Sequence, residues 1–255
     1  MFVSRFSRFS AAPTSGAQPG LSSERFWSWL PSQCTLCKAW PARPVCDTCI
    51  AAFAQPVHRC PTCALHIPEA VSRCGACLLQ PPLWHSALTA VSYEWPWTTL
   101  VAPFKYQAQP GWASSLASLM ASAPGVDDAL AQAHWVVPMP LSNQRLAERG
   151  FNQSLLLAKQ LSPRKARHDL LLRLRDTPAQ RTLPRAERLH NLRGAFSVYP
   201  LQADALRGQR VMLVDDVMTT GASLHMATEA LLGAGVSHVT AVVFARTEAH
   251  AHDGP

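Results

Sequence analysis

The feature that most constrains the fold is a set of eight cysteines, arranged as four Cys-x-x-Cys pairs near the amino terminus. The pairs are Cys34 and Cys37, Cys46 and Cys49, Cys60 and Cys63, and Cys74 and Cys77. The 178 residues that follow Cys77 contain no cysteine. A Cys-x-x-Cys turn places two thiolates on one side of the backbone, and two such turns complete a tetrahedral metal shell. Because so short a segment has little apolar core, we expect metal binding to fold it.

Zinc is the metal that we expect, as one or two structural ions, because four cysteine ligands leave no open coordination position. The simplest pairing places the first four cysteines on one ion and the last four on another. An interleaved pairing fits the spacing as well. An iron–sulfur cluster or redox-active dithiols are the alternatives. We predict a cytoplasmic protein, and the cysteine pattern agrees, because closely paired thiols in a reducing compartment are typical of metal ligands and not of a disulfide framework.

The composition of the 255-residue chain indicates a folded protein, because 48% of the residues are hydrophobic and only 15% are charged. No stretch reaches the roughly 18 uninterrupted apolar residues of a membrane-spanning helix, so we do not expect an integral membrane protein. We divide the chain into a disordered tail (1–25), a cysteine-rich module (26–83), a larger domain (84–246) and a second disordered tail (247–255).

The larger domain alternates predicted strands with predicted helices. The strands are expected at 134–140, 168–175, 210–217 and 236–246, and the helices at 116–123, 143–161 and 223–232. This alternation predicts an α/β fold with a parallel sheet flanked by helices. The aromatic-rich segment 84–112 is interpreted as part of the core.

The sharpest signal in this domain is the segment Val211 to Ser223, VMLVDDVMTTGAS. A buried strand ends in Asp215 and Asp216, and a loop then leads into a helix. The loop residues are Thr219, Thr220, Gly221, Ala222 and Ser223. Backbone N–H groups at a helix N-terminus bind phosphate, a glycine permits close approach, and hydroxyls add donors. Because carboxylates accept hydrogen bonds from ribose hydroxyls or help to hold Mg²⁺, the segment predicts a site for a phosphorylated ribose.

This segment resembles the 5-phosphoribosyl-1-pyrophosphate (PRPP) signature of the type I phosphoribosyltransferases. Further matches are Val136 to Gln153, Gln180 with Arg188 and Asn191, and Gly194 to Phe196. Together with the cysteine-rich module in front, they make residues 34 to 246 similar to the ComF family of competence proteins. The resemblance implies a type I phosphoribosyltransferase-like parallel sheet behind a small double zinc-ribbon module. It also implies that Mg²⁺ and PRPP are ligands and suggests a place in nucleoside metabolism.

The resemblance also implies roles at matching positions. Asp215 and Asp216 would contact the ribose, and residues 219–223 would bind its 5′-phosphate. Residues 138–143 resemble the pyrophosphate loop, with Arg145 and Arg149 as electrostatic partners, although an exposed helix face explains these arginines equally well. The stretch 176–196 is similar in place to the mobile flap of the transferases. No residue is assigned a catalytic role.

The positive charge of the chain is concentrated beside these motifs. Residues 145–193 hold 12 lysines and arginines against four acidic residues, a local charge of +8, whereas the whole chain carries +7. Such a cluster suits a ligand with several phosphates and would equally suit a nucleic-acid backbone.

Three functional hypotheses follow. The first, for which the DNA role rests on the family resemblance, is a ComF-like protein of DNA uptake that binds Mg²⁺ with PRPP and contacts single-stranded DNA. The second is an active phosphoribosyltransferase with an unknown acceptor. The third is an interaction protein with a vestigial pocket, whose zinc ribbons dock a DNA-uptake helicase or a membrane channel.

Overall fold

The computed structural model describes residues 32–107, 109–175 and 194–248. The tail predicted over 1–25, most of the flap predicted over 176–196, and residues 249–255 lie outside this part. The helices are α1 (Asp47–Phe53), α2 (Gly75–Leu79), α3 (Thr98–Tyr106), α4 (Trp112–Ser122), α5 (Val126–Gln132), α6 (Asn143–Arg149), α7 (Gln153–Leu161) and α8 (Ala222–Gly233). The strands are β1 (Ser86–Ser92), β2 (Trp135–Pro138), β3 (Leu171–Arg173), β4 (Phe196–Val198), β5 (Arg210–Met218) and β6 (His238–Arg246).

Four of these strands form a parallel sheet in the order β1-β6-β5-β2. The two central strands, β5 and β6, are nearly continuous apolar runs, as expected of strands that are covered on both faces. In the register of the sheet, Pro138 of β2 lies beside Val214 of β5, and Asp215 lies beside Val243 of β6. Because all four strands run the same way, the loops after β2 and β5 emerge at one edge.

Helices cover both faces of this sheet. On β5, Met212 and Val214 contribute to a core layer with α3, α4 and α7. The alternate residues Val211 and Leu213 contribute to a second layer with α8, β3 and β4. The structure therefore confirms the predicted parallel α/β sheet flanked by helices.

One predicted strand has a different place in the structure. The segment 168–175 was expected in the parallel sheet, but only Leu171–Arg173 forms a strand, which pairs antiparallel with β4 in a separate two-stranded sheet. Leu174 is 61% exposed, so this segment lacks the two-sided burial of a central parallel strand. The remaining strand of the parallel sheet is the edge strand β1, which lies within the aromatic-rich segment 84–112 and was not predicted.

The helix predicted over 143–161 is two helices. Gly150 has a φ of +77° and ends α6, since an L side chain rarely adopts this left-handed conformation. Asn152 then caps α7, and its Oδ1 accepts a hydrogen bond from the Leu155 backbone at 3.2 Å. The Asn152 amide also donates to the Met139 carbonyl at 3.0 Å. The residue that begins α7 therefore also holds the loop that follows β2.

The cysteines form two quartets in sequence order, as the simplest pairing predicts. Cys34 and Cys49 of the first quartet lie in the same core layer as α3 and α4. The second quartet forms a small separate cluster. At the other end of the chain, Glu248 lies two residues beyond the predicted domain boundary and pairs with Arg59 at 2.9 Å. No helix in the described part of the chain is long and apolar enough to cross a membrane.

Candidate functional site

Asp215 and Asp216 lie near the carboxyl end of β5, between β2 and β6. The helices α7 and α3 supply the side chains that contact them. The Ser154 hydroxyl of α7 donates to Asp215 Oδ1 at 2.8 Å, and the Lys105 ammonium of α3 lies 3.0 Å from Asp216 Oδ1. Asp216 is only 6% exposed, and a buried charge of this kind requires a charged partner. The acidic pair is therefore held from both neighbouring helices.

The two carboxyl groups affect each other's environment. Burial, and then the negative charge of Asp216, raise the pKa of Asp215 to about 6, although Lys105 and the Ser154 hydroxyl oppose this increase. For Lys105, burial by itself would lower the pKa, but Asp216 and Asp215 hold it above its ordinary value. Lys105 is therefore a cation at neutral pH, and the Asp215 carboxyl group is mostly ionised only above about pH 6.

The raised pKa of Asp215 has a consequence for folding. An unfolded aspartate has a pKa near 3.9, so between about pH 4 and pH 6 the folded chain binds more protons at this site than the unfolded chain. The contribution of Asp215 to the free energy of unfolding therefore falls as the pH rises through this window. A charged group that is retained at a cost in stability is typical of a functional site.

Lys105 was not among the predicted site residues. Its contact with Asp216 joins distant parts of the chain, so no local motif indicates it. One signal is visible in the sequence, because Lys105 is the only charged residue between Trp95 and Trp112. A single charge in an apolar segment predicts a buried partner of opposite charge elsewhere.

The loop after β5 leads directly into α8. Gly221 precedes the helix with a φ of +75°, and its carbonyl accepts the helical hydrogen bond from His225 at 2.8 Å. The Thr220 hydroxyl accepts from the Ala222 backbone at 3.4 Å. A Cβ atom at Gly221 would lie 2.8 Å from Cη2 of Trp84, so both the conformation and the close approach require glycine. In the predicted segment 219–223, residues 219–221 therefore form the loop after β5, and Ala222 and Ser223 begin a 12-residue helix.

The loop after β2 lies beside β5 at the same edge. The Met139 backbone donates to the Val214 carbonyl at 2.8 Å, which continues the pairing of the two strands. Ser142 is buried and caps α6, with its hydroxyl accepting from the Arg145 backbone at 3.4 Å. The structure thus brings residues 138–143 to the sheet edge where the acidic pair lies.

The two predicted arginines lie on α6 and differ in their surroundings. Arg149 donates to the Gln153 side chain at 3.0 Å and lies 5.2 Å from the centre of the Tyr106 ring. Because Tyr106 directly follows Lys105, these contacts bring Arg149 to the side of the acidic pair on which α3 ends. Arg145 is half-buried one turn earlier on the same helix.

The two cysteine quartets have the geometry of metal sites. Within each quartet the four Sγ atoms all lie within 4.8 Å of one another. Cys34 and Cys49 are 3.8 Å apart, and Cys37 and Cys46 are 3.6 Å apart, as are Cys63 and Cys74. A disulfide requires about 2.05 Å, whereas zinc bonds of about 2.3 Å in a tetrahedron separate the sulfurs by roughly 3.8 Å. The cysteines therefore fit zinc.

The thiol environments indicate the same chemistry. Burial alone would raise the pKa of Cys34, but the backbone N–H groups of Cys37, Cys46 and Leu36 lower it to about 6. The pKa of its neighbour Cys49 is raised to about 12, first by burial and then by the other thiols. The backbone therefore stabilises the Cys34 thiolate, whereas burial and the neighbouring thiols oppose ionisation of Cys49, and a bound cation would stabilise all four thiolates together.

Comparison with known proteins identifies the family of this chain. Residues 176–253, which include the acidic pair and the loop after it, match the phosphoribosyl transferase domain family. Competence protein F of Haemophilus influenzae is 34% identical over 170 residues, which cover 63% of this chain and 72% of that protein. DNA utilization protein YhgH of Salmonella typhi is 31% identical over 233 residues, which cover 86% of this chain and 98% of that protein. This chain belongs to the ComF family.

The ComF-family chain has a phosphoribosyltransferase-like domain, and two cysteine quartets that could hold zinc precede it. A solved structure of an allosteric regulatory enzyme of purine biosynthesis aligns with 56% of this chain and 29% of its own, at 16% identity and a TM-score of 0.36.

Proposed function

We propose that this chain binds PRPP together with Mg²⁺ at the carboxyl edge of the parallel sheet. The observation that carries the proposal is the strand–loop–helix unit of β5 and α8. It places two carboxyl groups near the end of a strand whose short loop leads into a helix N-terminus. A phosphorylated ribose needs both, because carboxylates accept from its hydroxyl groups and backbone N–H groups at the start of a helix bind its phosphate.

Each predicted residue has a role in this proposal. Asp215 and Asp216 accept hydrogen bonds from the ribose, and residues 219–223 bind the 5′-phosphate. The loop 138–143, with Arg145 and Arg149, faces the pyrophosphate. The oxygen donors of the acidic pair fit Mg²⁺, which prefers carboxylate and phosphate oxygens and would neutralise the charge of the pyrophosphate.

The test is a calorimetric titration of PRPP and Mg²⁺ into zinc-loaded protein. We expect Asp215→Asn/Asp216→Asn to abolish binding, because the amides remove the negative charge and half of the acceptor oxygens. The matched control is Asp127→Asn/Asp128→Asn, an exposed pair of adjacent aspartates on α5, which should bind as the wild type does. Equal binding by both variants would contradict the proposal. Pyrophosphate release in the same cell would distinguish a transferase from a binding protein.

The pH dependence of this titration provides an independent check. Because the pKa of Asp215 is raised to about 6, its carboxylate is protonated below that pH and loses its charge. We therefore expect affinity to be greatest above pH 7 and to fall as the pH is lowered through 6. A flat profile between pH 5 and pH 8 would exclude Asp215 from the contact with the ligand.

We further propose that the protein acts in DNA uptake or utilisation in the cytoplasm and contacts single-stranded DNA. The names of its relatives support this role, and so does the local charge of +8 over residues 145–193. The structure adds exposed aromatic rings at the two ends of α3. Trp95 is 68% exposed and contacts Phe53 edge to face at 5.1 Å, and Tyr106 is 64% exposed beside Arg149. Aromatic rings beside cations bind single strands by stacking on the bases.

The DNA proposal is tested by fluorescence anisotropy with a labelled oligothymidine at several salt concentrations. We expect Trp95→Ala and Tyr106→Ala each to weaken binding by about 1–3 kcal/mol, the contribution of one stacked base. Tyr199→Ala is the matched control, because Tyr199 is also exposed but follows β4, on the opposite face of the sheet. Binding that is unchanged in all three variants, or that does not weaken with salt, would exclude this surface.

A further inference from the structure

Trp84 connects the second cysteine quartet to the loop after β5. Its indole ring is buried, and its Nε1 donates to the Thr62 carbonyl at 2.6 Å. Thr62 lies inside the turn between Cys60 and Cys63. The far edge of the same ring packs against Gly221, so closely that no side chain fits there. One rigid side chain therefore spans the distance from a metal-binding turn to the start of α8.

Arg246, the last residue of β6, makes a second connection between the same two places. Its Nε donates to the Cys63 carbonyl at 3.0 Å. Its Nη1 donates to the Thr219 carbonyl at 2.6 Å and to the Met218 carbonyl at 3.2 Å. A planar guanidinium fixes the relative positions of the carbonyls that it binds, because its donors have a rigid geometry.

A third contact joins the flank of this turn to the end of the sheet. Arg59, directly before Cys60, donates to Glu248 at 2.9 Å and to the Ser92 hydroxyl at 2.9 Å. Glu248 also accepts from the His66 backbone at 3.0 Å. The turn from residue 60 to 63 is thus held against the carboxyl ends of β1 and β6.

Apart from these contacts, the second quartet has only a small apolar cluster of its own. Its buried cluster contains Cys60, Cys74, Cys77 and Ile67, with Cys63 and Leu65 partly buried around them. So small a cluster does not fold by apolar burial alone. The turn is tied to the main fold by the Pro61 carbonyl, which accepts from the Ala87 backbone at 3.1 Å, and by Ala64 in the core layer of α8, whereas metal binding is what would join the turn to Cys74 and Cys77. The first quartet differs, because Cys34 and Cys49 belong to the main core with α3 and α4, and Cys46 packs against it.

We propose that the second cysteine quartet positions the phosphate-binding loop, with Trp84 and Arg246 as the positioning residues. Metal binding by this quartet fixes the carbonyls of Thr62 and Cys63. These carbonyls orient the two side chains, and the side chains set the backbone of residues 219–221. Metal occupancy of the quartet thereby controls affinity for the phosphate group. This inference rests on the proposed function, in which the loop binds the 5′-phosphate.

The experiment compares Trp84→Phe, which keeps an aromatic ring but loses the N–H donor, with Cys74→Ser, which removes one metal ligand. Trp135→Phe is the matched control, since the Trp135 indole also donates to a backbone carbonyl, that of Ala205 at 3.1 Å, but lies in β2. The probes are ribose 5-phosphate and pyrophosphate with Mg²⁺, titrated by calorimetry. Zinc content and hydrogen exchange of the backbone amides are measured on the same samples.

We expect Trp84→Phe and Cys74→Ser to reduce affinity for ribose 5-phosphate by about fivefold or more, the effect of losing one buried hydrogen bond. Affinity for pyrophosphate should not change. The amides of residues 219–223 should exchange faster, while those of residues 139–142 should not. Cys74→Ser should lose one zinc ion per chain, and Trp84→Phe should retain its zinc. Trp135→Phe should behave as the wild type in all of these measurements.

The results separate this inference from the proposed function. If both variants bind ribose 5-phosphate as the wild type does and their loop amides exchange at the wild-type rate, the positioning role is overturned. If wild-type protein binds neither PRPP nor ribose 5-phosphate, the proposed function fails. In that event, unchanged exchange at residues 219–223 in Trp84→Phe would overturn the structural connection, and faster exchange would support it. Because Trp84→Phe leaves the metal ligands intact, the test holds even if Cys74→Ser does not fold.

Discussion

Replacing Cys49 by serine is expected to unfold the main domain and not only the first cysteine quartet. Cys49 is buried in the same core layer as Trp97, Leu100 and Val101. The Trp97 indole also donates to the carbonyl of Phe53, the last residue of α1, at 3.0 Å. The first quartet is therefore part of the main core, and its collapse would expose α3.

The magnitudes favour a large effect. Binding of structural zinc to a small cysteine-rich site contributes about 10–16 kcal/mol, whereas the net stability of a whole domain is about 5–15 kcal/mol. The free energy lost with the zinc ion is therefore as large as the net free energy of unfolding of the domain. We expect Cys49→Ser to lose one zinc ion per chain and the cooperative thermal transition seen by circular dichroism.

The comparison is Cys77→Ser, which removes a ligand from the second quartet. It should also lose one zinc ion, but the main transition should persist, because that quartet forms a separate cluster. Zinc content by mass spectrometry and melting curves on the same preparations provide the measurement. A Cys49→Ser protein that loses zinc and still melts as the wild type does would show that the first quartet does not support the core.

The sequence predicted the parts of the site that lie on one continuous segment. The strand β5, the loop 219–223 and the helix α8 are specified by an apolar run, a glycine and a helical pattern that follow one another directly. The same holds for the cysteine quartets, because a Cys-x-x-Cys turn carries its own geometry. These are local signals, and they do not depend on the rest of the fold.

The contacts between distant segments were not predictable in the same way. The edge strand β1 consists of small and moderately apolar residues, SALTAVS, next to a dense group of aromatic residues, and its pattern is weak. Lys105, Ser154 and Trp84 reach the site only because the tertiary fold brings α3, α7 and the segment before β1 close to β5 and to the loop that follows it. The partners of the acidic pair are therefore a property of the tertiary structure, while the pair itself is visible in the sequence.

Replacing Lys105 by methionine is expected to destabilise the protein by roughly 3 kcal/mol at pH 7.5. The ammonium lies 3.0 Å from Asp216 Oδ1, and Asp216 is almost completely buried. Removing one partner of a buried ion pair leaves an uncompensated charge, which costs about 3–5 kcal/mol. The Lys105 side chain is 17% exposed, so we expect the lower end of this range. For a domain of this size, the melting temperature should fall by roughly 6–12 °C.

The double variant Lys105→Met/Asp216→Asn distinguishes lost charge pairing from lost packing. If the unpaired carboxylate is the cause, the asparagine should restore most of the stability, since it removes the charge and keeps the shape. Lys159→Met on α7 is the control, because Lys159 is exposed and its replacement should change stability by less than about 0.5 kcal/mol. A Lys105→Met protein as stable as Lys159→Met would contradict the role of the ion pair.

The single variant Lys105→Met also tests how the acidic pair responds to a divalent cation. In the wild type, Lys105 supplies positive charge to two adjacent aspartates. Without it, Mg²⁺ would be the strongest available counter-charge, so we expect Mg²⁺ to raise the melting temperature of Lys105→Met more than that of the wild type. Lowering the pH towards 5 should reduce this difference in the response to Mg²⁺, because the Asp215 carboxyl, with a pKa of about 6, is then protonated. Equal responses to Mg²⁺ would mean that the ion does not bind at the position that Lys105 neutralises.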